Sequence, residues 1–216
     1  MPDTTKSVKL VVKNLKKDFD RKTILKDLNF SLTNEDSLAI TGKNGSGKST
    51  LIKILSNIFM QTSGSVNITI DNTLIERQNF YKYIGLISPY LNLYDEFSGL
   101  ENLRFTAKLR DLNADCINST ITRVGLWERR NDLVKIYSSG MKQRLKLAFA
   151  LMHDPEILLL DEPTSNLDAE GVRFVDTVAE EYRSRGILII ATNDEHERSL
   201  CKGELNLDRI NKDQES

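Results

Sequence analysis

Apolar residues fall in short alternating or continuous runs along the chain, and turn-forming residues separate them. Val8 to Val12, Asn29 to Leu32, Ser37 to Thr41, Ser65 to Ile70 and Tyr83 to Ser88 read as strands, with Asp20-Arg-Lys and Asn34-Glu-Asp as breaks. Glu101 to Leu109 and Ile117 to Val124 carry helical spacing and, with the polar breaks around them, predict an inserted helical lobe over roughly 98–134. From Ser139 the spacing is helical again, with Leu145, Ala148, Phe149 and Met152 on one face, until Asp154-Pro155 ends the run. Ile157 to Leu160 is a short, wholly apolar strand. Ala169 to Ser184 predicts a helix with Val172, Val175, Val178 and Ala179 inward, and Gly186 separates it from a second apolar strand, Ile187 to Ala191. Apolar strands alternating with helices predict an α/β fold with a mainly parallel buried sheet, preceded by a β-rich N-terminal part.

The 216 residues suit one domain over 1–216 with the helical lobe inserted in its core. Lys and Arg number 30 against 31 Asp and Glu, a net charge of −1, so no nucleic-acid partner is expected. Cys116 and Cys201 are isolated and His153 lies far from His196, which argues against a structural metal site and for reduced thiols. The first residues lack the apolar core of a signal peptide, and runs such as Leu147 to Met152 are far short of a membrane span. A cytosolic location is expected.

Candidate chemistry starts at Gly42-Lys43-Asn44-Gly45-Ser46-Gly47-Lys48-Ser49-Thr50, set between the strand ending at Thr41 and a helix-like run from Leu51. Gly42, Gly45 and Gly47 let the backbone curl with its N–H groups inward around a polyphosphate. Lys48 supplies a positive charge to the β- and γ-phosphates, Ser49 offers a hydroxyl to Mg²⁺, and the helix presents its positive end to the same anion. This is a phosphate-binding loop in a P-loop NTPase core, and it predicts binding of a nucleoside triphosphate.

Leu158-Leu-Leu-Asp-Glu-Pro-Thr-Ser-Asn-Leu-Asp168 is an apolar strand ending in two acids. Strand alternation sends Asp161 and Glu162 to different sides and so to different roles: Asp161 to hold Mg²⁺, Glu162 to orient and deprotonate an attacking water. Upstream, Tyr137-Ser-Ser-Gly-Met-Lys-Gln-Arg144 is a small-residue turn opening a helix. Alone it reads equally as an ordinary N-cap or as an anion site.

Taken together, in this order and spacing, the three segments resemble the signature of the ATP-binding cassette family from Val8 to about Leu207. The resemblance implies ATP and Mg²⁺ as ligands and a head-to-tail dimer. In that dimer the turn with Ser138, Gly140 and Met141 of one subunit covers the γ-phosphate held by the other. It further implies that Phe19 stacks on adenine and that Ser165-Asn-Leu-Asp168 signals across the dimer. Three positions depart from the family's pattern. Where a Gln usually follows the strand ending near Ser88, the chain reads Ser88-Pro-Tyr-Leu-Asn-Leu-Tyr94, and neither Pro89 nor Tyr90 replaces an amide that contacts Mg²⁺ and water. The usual Leu-Ser-Gly-Gly-Gln turn is Tyr137-Ser-Ser-Gly-Met141, which keeps the Ser138 and Gly140 positions. The switch histidine is Asn193, which donates a hydrogen bond but carries no charge, and His196 is rotated away from its place. ATP hydrolysis by Lys48, Asp161 and Glu162, with Asn193 assisting, is therefore expected to persist but to be slow.

Tyr94-Asp-Glu-Phe-Ser, Glu101-Asn-Leu-Arg-Phe105 and the Met-Lys-Gln-Arg form of the signature are similar to exporter-type cassettes. The compact length and the Ser-Gly-Met turn look like the ATP-binding subunit assigned to haem export in cytochrome c maturation. Implied partners are an integral membrane permease, docked through the lobe and the Ser88 to Tyr94 segment, and a second cassette subunit, identical or not. The implied place is peripheral, on the inner face of the cell membrane. The alternative is a soluble or division-type cassette acting as an ATP-gated dimerisation switch.

Overall fold

The computed structural model describes residues 6–20 and 22–213. β1 (Val8–Phe19) and β2 (Lys22–Thr33) make a long antiparallel hairpin, and β3 (Ser37–Thr41) leaves it for a second sheet. β4 (Ser63–Ile70) and β5 (Thr73–Ile75) return to the first, a four-stranded antiparallel sheet ordered β2-β1-β4-β5. The hairpin is longer than Val8 to Val12 and Asn29 to Leu32. Bulges after Val12, Leu15 and Lys17, with left-handed backbone at Asn14 (φ 46°) and Asp27 (φ 49°), break the alternation that would have revealed the rest. Asp20 (φ 51°) begins the turn; Arg21, also expected there, lies outside the described residues.

The second sheet joins β3 to β6 (Ile84–Ile87), β7 (Ile157–Asp161), β8 (Ile187–Ala191) and β9 (Gly203–Asn206), in the order β6-β7-β8-β3-β9 with every pairing parallel. β5 and β9, at 3 and 4 residues, are too short for a periodicity to show in sequence. Alternation along β7 and β8 feeds two cores. Ile157, Leu159, Ile187 and Ile189 face α1 (Lys48–Leu55) and the hairpin, while Leu158, Leu160, Leu188 and Ile190 face the helices on the other side. Both sides are covered, which is why these strands contain no polar interior residue.

The inserted lobe holds α2 (Gly99–Leu109), α3 (Asp115–Arg123) and 3-10 turns at Trp127–Arg129 and Val134–Ile136. A reciprocal cap starts α2: Ser98 Oγ accepts the Glu101 N–H, and the Glu101 carboxylate accepts the Ser98 N–H. Leu103, Ile117 and Ile121 join the lobe to α4 (Ser139–Leu151) in one apolar cluster. Because β6 and the lobe flank α4, Leu147, Ala150 and Leu151 are buried beside the expected Leu145, Ala148 and Met152, whereas Phe149 is only half-buried. In α5 (Ala169–Arg185), Val175, Val178 and Ala179 are enclosed as expected. Val172 is only half-buried, Gly171 taking the buried place in the first turn. Two short helices follow, α6 (Glu195–Ser199) and α7 (Leu207–Asp213). Among the described residues no helix is long and apolar enough to cross a membrane.

Candidate functional site

Parallel pairing brings the carboxyl ends of β3, β7 and β8 to one edge: Ile40 pairs with Ala191, and Ala191 with Asp161. The glycine loop, the acidic pair and Asn193 therefore emerge side by side, at the edge where open α/β sheets hold ligands. Gly47 has φ 106°, and a Cβ there would come within 2.8 Å of Leu25 Cδ2 and 2.9 Å of Ile24 Cγ2. Gly45 has φ 84° and nothing within 4 Å of such a Cβ, so that stretch of backbone faces open space. α1 starts with Gly47 as N-cap and has no acidic residue in its first turn, so its positive end is left unneutralised. Over it lies a cavity of about 480 Å³ walled by Asn44, Gly45, Gly47, Lys48, Ser49 and Thr50 of the loop and by Phe19, Ile24, Tyr90 and Glu162.

Lys48 is buried, and its ammonium donates to Gly42 O at 2.7 Å and Asn193 Oδ1 at 3.0 Å. Asn193 Nδ2 donates in turn to Asn44 Oδ1 at 2.7 Å, so one amide spans both rims of the loop. The Lys43 N–H donates to Asp208 Oδ2 on α7 at 2.8 Å, and the Ser46 hydroxyl is buried without a partner. His196 sits on α6 and turns to Asp176 on α5, 2.8 Å away. Phe19 ends β1 with its ring 5.9 Å from that of Phe59 in an edge arrangement and with the Lys17 ammonium 4.6 Å from its centre. The ring is 41% exposed, which leaves apolar surface for a planar ligand.

Asp161 is 2% exposed, and its Oδ2 has no hydrogen-bond partner. Burial pushes its carboxyl above the usual aspartate range; a hydrogen bond from the Ser49 hydroxyl opposes the rise and the Glu162 charge adds to it. A buried carboxylate oxygen with no donor beside a serine hydroxyl fits a hard divalent cation such as Mg²⁺, which takes few protein oxygens besides phosphates. Because the folded protein keeps the Asp161 proton at a pH where the unfolded chain has lost it, nucleotide-free stability should fall as pH rises from the unfolded value through the raised one. Asp161→Asn has no proton to lose and should remove this part of the slope. Urea-unfolding midpoints between about pH 3 and 7 check this, and an unchanged slope would refute it.

Glu162 is half-buried, and its placement differs from simple strand alternation. The pleat ends at Asp161, and Glu162 adopts φ 51°, a left-handed turn pinned by its N–H to Ala191 O at 3.0 Å. That turn, rather than the pleat, carries Glu162 to the cavity wall. Beyond it, the Thr164 N–H and hydroxyl both donate to Glu197 Oε1, tying the loop after β7 to α6. Asp168 caps α5 by accepting the Gly171 N–H at 2.8 Å and also takes Arg144 at 3.0 Å, and these contacts hold its carboxyl below the usual range.

Ser138, Gly140 and Met141 lie at the start of α4 and form no part of this cavity wall. Ser138 Oγ accepts the Met141 N–H at 3.2 Å as an N-cap, and a Cβ on Gly140 would stand 3.3 Å from Asn166 O. Gln143 Nε2 donates to Pro163 O at 3.0 Å, which fixes α4 against the acidic loop. Ile24 and Tyr90 on the wall and Asp208 behind the loop are not among the site residues that the sequence points to. Tyr90 carried a signal, its place in the unusual segment after β6; Ile24 and Asp208 carried none.

Residues 25–165 match the profile of the ABC transporter family. The chain is 36% identical to an uncharacterized ABC transporter ATP-binding protein, YhcH, of Bacillus subtilis (strain 168), over 93% of this chain and 65% of that longer protein. It is 34% identical to the lantibiotic transport ATP-binding protein SrtF of Streptococcus pyogenes, over 85% of this chain and 79% of SrtF. Its fold is similar to that of the ATP-binding cassette MJ0796, solved as a dimer in a post-hydrolysis state bound to ADP and Pi. The TM-score is 0.79 at 22% identity, over 91% of this chain and 93% of that one, a likeness of fold alone.

Proposed function

The chain belongs to the ABC transporter family, and from that premise we propose that it is the ATP-binding and ATP-hydrolysing subunit of an exporter, driving a separate membrane permease. The observation that carries this reading is the meeting of Lys48, Ser49 and Glu162 on one cavity, with Asp161 buried at its edge. The open backbone at Gly45 and the N-terminus of α1 receive the phosphate chain. Lys48 turns its ammonium from Gly42 O and Asn193 Oδ1 toward the β- and γ-phosphates. Ser49 and Asp161 hold Mg²⁺, which when bound neutralises phosphate charge. Glu162 orients a water and takes its proton as the water oxygen bonds to the γ-phosphorus and ADP leaves. Phe19 stacks on the adenine.

Asn193 reaches the phosphate lysine directly, but its amide stays neutral where a histidine would gain charge. Turnover by the purified protein, alone and with its permease, should therefore stay well below about 10 s⁻¹. Asn193→His should raise it several-fold, most below about pH 6.5, where imidazole is charged. Steady-state phosphate release tests both, and wild-type turnover at or above that figure defeats the slow-enzyme reading.

Dimerisation supplies Ser138, Gly140 and Met141 from a second cassette, since these residues stand away from the cavity of their own chain. Tyr94, Phe97 and Phe105 form an exposed aromatic cluster, with ring centres 5.2 to 6.4 Å apart, where the segment after β6 meets the lobe. This surface supports docking of the permease there, on the cytoplasmic face of the membrane. Recovery of a membrane protein in a pull-down from solubilised membranes is expected, and recovery of soluble partners alone would favour the ATP-gated switch instead. SrtF is a lantibiotic transport ATP-binding protein, which favours transport over the soluble switch. Haem export rests on the Ser139-Gly-Met turn, and stimulation of the reconstituted complex by haem or by a lantibiotic peptide separates the two cargoes.

A further inference from the structure

Tyr90 is two-thirds exposed, at 67%, yet it forms part of the wall of the cavity that holds Lys48, Ser49 and Glu162. The strand register explains its position. β6 runs parallel to β7 with Ile87 opposite Leu160, so Ser88 comes level with Asp161 and Tyr90 follows at the acid-bearing edge. The segment is held on both sides of the tyrosine: the Ser88 hydroxyl accepts the Tyr90 N–H at 3.3 Å, and Lys146 donates to Pro89 O at 3.3 Å. Farther along, buried Asn102 accepts the Tyr94 N–H and donates to Tyr94 O, both at 3.0 Å. The ring itself lies over the Lys53 ammonium of α1, 3.8 Å from its centre.

A tyrosine held by its backbone and ring on the cavity wall, whose phenol makes no hydrogen bond among the described residues, is a donor without an internal duty. We propose that Tyr90 is a catalytic-site residue that donates its phenolic hydrogen bond to the terminal phosphate of ATP, and so distinguishes ATP from ADP. This assignment rests on the ATP reading of the cavity. It differs from an amide's contact with Mg²⁺, because a neutral phenol serves as donor to a phosphate oxygen and not as metal ligand. It also gives the segment that reaches the lobe a direct contact with the group lost on hydrolysis.

The test is equilibrium calorimetry with Mg²⁺ and ATP or ADP on the full chain, in a Glu162→Gln background in which turnover is strongly slowed. Tyr90→Phe keeps the ring over Lys53 and removes only the hydroxyl. ATP affinity should fall about tenfold, as for a lost hydrogen bond to a charged group, while ADP affinity stays within about twofold and the melting temperature is unchanged. Equal affinities of variant and parent for ATP overturn the assignment, as does a parallel loss for both nucleotides, which marks a structural role. If the Glu162→Gln parent binds neither nucleotide, the ATP reading itself falls and the assignment with it. Binding by the parent with no ATP-selective loss in the variant overturns the assignment alone.

Discussion

Replacing Glu162 with Gln is expected to lower ATP turnover by about 10² to 10⁴-fold, the usual contribution of a positioned general base, while ATP binding is retained. The side chains have the same shape, but an amide accepts no proton from water. The left-handed turn at Glu162 and its N–H contact with Ala191 O belong to the backbone, so the substitution leaves the wall of the cavity in place. Phosphate release under saturating ATP measures the first effect, and equilibrium ATP binding the second. A variant hydrolysing at the wild-type rate would remove Glu162 from the mechanism. In the same variant, ATP should accumulate a two-copy complex detectable by light scattering, and a persistent monomer would point to a different cassette partner.

The second large effect is on binding. Lys48→Ala should weaken ATP by about a hundredfold or more, because hydrogen bonds to charged groups are worth roughly 1.5 to 3 kcal/mol each and Lys48 offers several. The loss has a second component visible in the structure. Without the ammonium, Gly42 O loses a donor at 2.7 Å and Asn193 Oδ1 one at 3.0 Å, so the rims of the loop are no longer drawn together before nucleotide arrives. Titration calorimetry with ATP checks the prediction, with circular dichroism to show that the fold persists. Wild-type affinity in the variant would mean that the cavity takes some other ligand.

The parts of the fold legible in sequence were those whose local pattern agrees with their surroundings. β3, β7 and β8 are buried along their whole length, and their apolar runs say so. The glycine loop is legible because its backbone dihedrals restrict the residue types. The second half of the hairpin was hidden by its bulges, and β9 by its length. For the site, sequence gave residues but not neighbours. The contact between Lys48 and Asn193, 145 positions apart, is set by sheet register, and so is the arrival of Tyr90 beside Glu162. Asp208 reaches Lys43 from 165 positions away for the same reason, since β9 lies next to β3.

Glu197, buried at the base of α6, receives both donors of Thr164, and the Glu162 N–H is bonded to the last residue of β8. The loop bearing the base and the loop bearing Asn193 are thereby riveted into one shelf. Their spacing is settled when the chain folds and not when ATP enters, so little of the binding affinity goes into arranging them. Under the proposed function, the moving parts of a cycle built on this shelf are the second cassette and the permease that approach from outside, rather than Glu162 and Asn193 themselves.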